Sequence, residues 1–157
     1  MSNDVERAWK LMEKIGLCML ASRDGEDIRS RPMAAHVARD EKAVYFLTDA
    51  AGHKDEEIRD DPHVGLAFAD IGGQSFVSVT GIAEVSNDRD KIRELWSTPA
   101  KAWWDDPQDP AIRVLKIQPK DAQYWDGPGS VMAYVKMAAA AATGSRPDLG
   151  DNAKVRL

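Results

Sequence analysis

The chain has 157 residues, 43% of them hydrophobic and 30% charged, with a formal net charge of -5 and a single cysteine. These values describe one globular core of ordinary size and exclude a disordered or fibrous chain and a disulfide framework. An acidic balance without a basic stripe argues against a nucleic-acid partner.

The first residues carry acidic side chains and no apolar run, so neither a secretion signal nor a membrane span is expected, and the expected location is cytoplasmic. Residues 4–15 then place Val5, Ala8, Trp9, Met12 and Ile15 on one helical face, with Ser2 or Asn3 as N-cap. Three β-type runs follow at 17–23, 28–38 and 43–48, separated by polar turns, and imply two hairpins or one meander. The one cysteine, Cys18, lies in the first run and reads as a buried thiol.

A polar helix is expected over 54–60, stopping ahead of Pro62 because the residue before a proline leaves the α region. Strands resume at 63–70 and 76–85. Asn87 is available to cap a helix over 88–96, a loop covers 97–110, and a strand covers 112–125 with Pro119 at an edge or a bulge. The alanine-rich stretch 130–143 is helical in propensity, Gly144 fits its C-cap, and residues 145–157 read as an irregular tail. The pattern predicts a single α+β domain over residues 1–157, built on a small antiparallel barrel of about six strands with flanking helices.

Familiar catalytic patterns are missing. His36, His53 and His63 have no metal-ligand spacing, and no phosphate loop or nucleophile elbow occurs, so no metal is expected and no catalytic residue is assigned. Two basic sites stand out instead. Arg29 and Arg31 alternate onto one face of the second strand, where they can clamp a phosphate or form an ordinary salt-bridged surface. Around Leu47, Thr48, His53 and Lys54 a strand gives way to a small-residue loop and a helix, whose backbone N–H groups and Lys54 would favour an anion. Trp103, Trp104 and Trp125 fall in loops or at a strand end, which suits a flat ring ligand or a subunit interface.

Taken in order, Arg31-Pro32-Met33-Ala34, Phe46-Leu47-Thr48 with Lys54, Asp61-Pro62, Val79-Thr80-Gly81-Ile82-Ala83-Glu84-Val85 and Trp125-Asp126-Gly127-Pro128-Gly129 resemble the FMN-binding split-barrel proteins related to pyridoxamine 5'-phosphate oxidase. The tail from Thr143 to Asn152 is similar to their general stress protein branch. The resemblance implies a split β-barrel homodimer with FMN at each subunit interface. It assigns the FMN phosphate to Arg31 and Lys54, with His53 assisting. It lays the backbone of Arg29, Ser30, Arg31 and Pro32, with Leu47 and Thr48, along the ring, adds Met33 to the cofactor-binding residues, and brings Trp125 from the partner subunit.

The chain departs from the oxidases of that family at three places. It carries His36 in place of a lysine, Phe76 in place of a glutamine, and Gly127-Pro128-Gly129-Ser130-Val131-Met132 where they grip pyridoxamine phosphate. The expectation is therefore a stress-related flavin-dependent oxidoreductase on another small molecule. A flavin-storing or flavin-sensing protein is the alternative, and a deazaflavin or haem ligand is compatible with the same barrel.

Overall fold

The computed structural model describes residues 3–146 and 150–157, with the backbone alone at His53, Lys54, Thr98 and Ser130. Helix α1 (Asn3–Ile15) buries Ala8, Trp9, Leu11 and Met12. It stops where Gly16, at φ 71°, donates its N–H to the Met12 carbonyl, a left-handed C-terminal turn that glycine adopts without strain. Asn3 is inside the helix; Ser2 lies outside the described residues.

Among the described residues the chain forms eight strands in one antiparallel sheet: β1 (Leu17–Asp24), β2 (Asp27–Ala34), β3 (His36–Ala38), β4 (Ala43–Asp49), β5 (His63–Asp70), β6 (Ser75–Ser86), β7 (Ile112–Asp126) and β8 (Asp151–Arg156). The strand order is β2-β1-β5-β6-β7-β4-β3, with β8 paired to β7 off that path. The single strand expected over 28–38 is thus two strands, broken at Ala35 and lying at opposite edges of the sheet. A one-residue link can join opposite edges only if the sheet curls until those edges face each other. No ladder joins β2 to β3, so the barrel is split along this seam.

Strand β7 is central, and Pro119 sits inside it rather than at an edge. The register with β6 shifts between Thr80 and Gly81, placing Gly81 opposite Pro119 in a bulge that spares the missing N–H. A Cβ at Gly81 would stand 2.8 Å from the Gln118 carbonyl oxygen and 2.9 Å from Ile117 Cγ2, so the close approach needs glycine.

Two further expectations are corrected. The irregular tail contains β8, in which Ala153 and Val155, followed by Leu157, pack against the main core; this period-two pattern and the break at Ala35 raise six strands to eight. The third helix, α3 (Arg89–Leu95), is capped by Asp88, whose Oδ1 accepts the Asp90 and Lys91 N–H groups at 3.1 Å, while Asn87 accepts from the Arg89 guanidinium instead. The expected loop over 97–110 includes a 3-10 turn, Thr98–Ala102.

Helices α2 (His53–Asp60) and α4 (Ser130–Thr143) match expectation, and Gly144, at φ 74°, ends α4 by donating to Ala140. The main core includes Leu20, Phe46, Phe68, Val79, Leu115 and Tyr124. A smaller one, of Ala43, Tyr45, Ile92, Ile112 and Val114, lies across β4 beneath α3. Cys18 is buried in the main core, and burial pushes its thiol up to about 12, far from a reactive thiolate. No described helix is long and apolar enough to cross a membrane.

Candidate functional site

The seam of the barrel is open, and a cleft of about 570 Å³ lies along it, inside the usual size range of small-molecule sites. One wall is the bend from β2 to β3, with Arg31, Pro32, Met33 and His36. The floor is the end of β4, with Leu47 and Thr48, and the far wall is the 3-10 turn with Trp103 and Trp104. Alternation along β2 turns Arg31 and Met33 inward, because Met33 packs on the main core two residues away.

Arg31 is held firmly. Its guanidinium donates to the Ser22 hydroxyl at 2.7 Å, the Leu20 carbonyl at 3.2 Å and the Glu57 carboxylate at 2.8 Å. The Ser22 hydroxyl donates to the same Glu57 oxygen, so strand β1, strand β2 and helix α2 meet on one carboxylate. Arg31 is 23% exposed and Glu57 only 8%, so the pair stands at the edge of the interior, where its charge-assisted bonds are screened less than on the open surface. Those contacts engage three of the five N–H donors of a guanidinium and leave two for a ligand.

Thr48 is the second polar marker. It is 3% exposed, and its Oγ1 has no hydrogen-bond partner although it lines the cleft. A buried hydroxyl left unpaired costs roughly 1–3 kcal/mol, which a ligand's acceptor or donor would recover. Arg31 is the one permanent cation among the described lining residues, since burial lowers the pKa of His36 and keeps its imidazole neutral at neutral pH.

The aromatic wall is tied to the 3-10 turn through its backbone. Trp103 and Trp104 both donate their backbone N–H groups to the Ala100 carbonyl, at 3.0 and 3.1 Å. Trp104 packs on the smaller core and points its indole N–H at Asp49, while Trp103 stands 79% exposed at the cleft mouth.

The expected site residues therefore separate. Arg31, Pro32, Met33, Leu47 and Thr48 line one cleft. Arg29 does not join them: it bonds Asp24 at 2.9 Å and lies 3.6 Å from Asp27 at the tip of the β1–β2 hairpin. Ser30 pairs with Ala21 on the outer face, and Trp125 lies on the outer face of β7 opposite Phe76, away from its own chain's cleft. The side chains of His53 and Lys54 lie outside the described residues, but their backbone opens α2, one turn before Glu57. The preceding loop offers an anion less than its composition suggests, because the N–H groups of Ala50, Ala51 and Gly52 already donate to Ala111, the Asp49 carboxylate and the Asp49 carbonyl. Ser22 and Glu57 carried no signal in the sequence, since their role exists only once α2 packs beside β1.

The residues present fit FMN: the cleft is lined by a cation with spare donors, a threonine whose buried hydroxyl is unpaired, and two tryptophans. The comparisons agree with that geometry. The model of the family described as pyridoxamine 5'-phosphate oxidase like matches residues 3–148. General stress protein 26 of Bacillus subtilis is 33% identical over 81 residues, which cover 50% of this chain and 58% of that protein, so the chain spans little more than half of this relative. A crystal structure assigned to general stress protein 26 from Jannaschia sp. CCS1 superposes with a TM-score of 0.81 at 26% identity, covering 100% of this chain and 99% of the other. The general stress FMN/FAD binding protein from Xanthomonas citri gives a TM-score of 0.71 at 25% identity over 83% of this chain and 92% of its own. The open barrel, the seam cleft and a match over nearly all the chain agree: this protein belongs to the pyridoxamine 5'-phosphate oxidase-like family.

Proposed function

We propose that the protein binds FMN in the seam cleft, works as a homodimer, and is a flavin-dependent oxidoreductase acting on a small molecule other than pyridoxamine phosphate. Arg31 and Thr48, whose hydroxyl is unpaired, line one cleft, and this carries the reading, because a site prepared for a phosphate explains both the spare donors and the orphaned group. The name of the Xanthomonas citri relative supports a flavin ligand. In this arrangement Arg31, with Lys54, holds the phosphate. Met33, Leu47 and Trp103 give the ring apolar walls that exclude water. Bound FMN would supply the two-electron redox chemistry; the chain supplies position and electrostatics.

The dimer rests on apolar surface that one chain leaves in water. Met19 and Ala67 are paired neighbours on the outer face of the sheet, as are Ala69, Phe76 and Trp125 along a second row, and Leu17 and Met19 are exposed. An apolar sheet face of this kind is ordinarily covered by another subunit.

The test is the visible spectrum of protein purified with added FMN, followed by anaerobic addition of a reduced nicotinamide. Bound flavin bands that bleach on addition are the expected result. A colourless protein that ignores FMN overturns the ligand, and a flavoprotein that no nicotinamide reduces overturns the oxidoreductase reading and leaves flavin storage or sensing. Pyridoxamine phosphate in air should release no hydrogen peroxide above the no-protein control. Among described basic residues outside the cleft, Arg113 already donates to Asn87 and to the Pro110 and Ile112 carbonyls.

A further inference from the structure

Helix α4 is apolar on every side. Of its 14 residues Lys136 alone is charged, and five large side chains, Val131, Met132, Tyr134, Val135 and Met137, are between 45% and 80% exposed. It contributes no residue to either core and has no extensive contact with another element of its own chain among the described residues. A helix of that length is marginal in water even with good propensity, and one that is hydrophobic all round is normally buried. Among the described residues its own chain buries Ala133 and Ala140 but leaves the five large side chains in water.

A bilayer is a poor match for this surface. Fourteen residues fall short of a span, and a helix lying in the headgroup region needs a basic polar face that α4 lacks. The same chain carries a second uncovered apolar surface, the outer sheet face with Leu17, Met19, Ile28 and Trp125 exposed. The two surfaces together expose the equivalent of about five whole large side chains. At roughly 150 Å² each that is about 750 Å² per chain, close to what each partner buries in a standard stable interface. A two-fold pair covers both at once, because the helix of each copy meets the sheet of the other.

We propose that α4 is a docking arm that lies on the outer sheet face of a second copy of this chain, so that two reciprocal helix-on-sheet contacts hold the dimer. This rests on the dimeric reading above and adds which surfaces meet.

Sedimentation of wild type and of the Tyr134→Ser/Val135→Ser variant tests it. Both positions are exposed in the single chain, so the fold should survive, as circular dichroism will verify, and the dimer dissociation constant should rise at least tenfold. A monomeric wild type overturns the dimer itself; a folded variant that dimerises as tightly as wild type overturns only the arm. The partner surface is tested separately with Met19→Cys/Tyr134→Cys joined by a flexible bis-maleimide, since the buried Cys18 should not compete. Cross-linking between two chains through positions 19 and 134 is expected. Linkage within one chain, linkage between the two positions 134 alone, or no linkage overturns the helix-on-sheet contact.

Discussion

Two arginines tie distant parts of this chain together, and they differ in what surrounds them. Arg7, on α1, bonds Asp126 of β7 at 2.7 Å and Asp151 of β8 at 2.8 Å, and lies 5.1 Å from the centre of the Tyr124 ring. Ser75 donates to the other Asp126 oxygen, and the Tyr124 hydroxyl donates to Asp4. That cluster fastens the first helix to the last strand; neither Arg7 nor its two carboxylate partners lines the seam cleft. Arg31 also meets a carboxylate, yet it borders a cleft, keeps donors in reserve and shares that cleft with Thr48, whose hydroxyl is unpaired. An ion pair alone therefore does not mark a site; unmet bonding capacity next to open volume does.

The sharpest way to break this contrast is to remove each arginine in turn. The Arg31→Ala/Glu57→Gln variant, which avoids leaving a buried carboxylate unpaired, should bind FMN about 30-fold more weakly, or about 2 kcal/mol, in a flavin fluorescence titration. Riboflavin, which has no phosphate, should bind variant and wild type alike. Unchanged FMN affinity would remove Arg31 from the phosphate site.

Arg7→Met should leave FMN affinity untouched and lower unfolding stability by about 1 kcal/mol, a modest figure because the arginine is 36% exposed and solvent screens the pair. Burial alone would raise the pKa of Asp126, but the hydrogen bonds from Arg7 and Ser75 outweigh it and hold the carboxyl below its ordinary value. With the folded pKa depressed, the unfolded chain takes up the proton first as pH falls. The stabilisation is then complete above the ordinary carboxylate pKa and is lost as pH drops through the lowered one. Denaturant unfolding across that acid range should show the gap between wild type and Arg7→Met closing; a gap constant with pH would assign the loss to packing on Tyr124.

The smallest effect sharpens the comparison most. Thr48→Val keeps the side-chain shape and removes the orphaned hydroxyl, so the apoprotein should gain up to about 1 kcal/mol while FMN affinity falls several-fold. Thermal unfolding with and without FMN reads both changes in one sample series. If both move downward, the hydroxyl has a partner in the free protein and loses its standing as a marker of the site.

Much of this was legible in the residues. Period-two and helical spacing placed nearly every element, since a face that must be buried writes its period into the chain, and the order of short motifs pointed to the split barrel. The alternation that separates Arg31 from Ser30 followed from the strand. Legibility failed where the deciding contact was far away in sequence. Nothing local distinguishes residues 28–38 from one long strand; the break at Ala35 follows from a sheet that curls until its first and last edges meet. Arg29 looked equal to Arg31, yet the hairpin turn set Asp24 and Asp27 beside the first, and helix α2 set Glu57 beside the second. The tail strand hid its Ala153, Val155 and Leu157 alternation among polar residues, because its pairing partner, β7, was needed to give that alternation a face to bury. By itself the chain determined its periods, its turns and which residue types were available for an anion. Which of them share a cavity was decided only by tertiary packing, because a pocket is made from the contacts the chain does not complete.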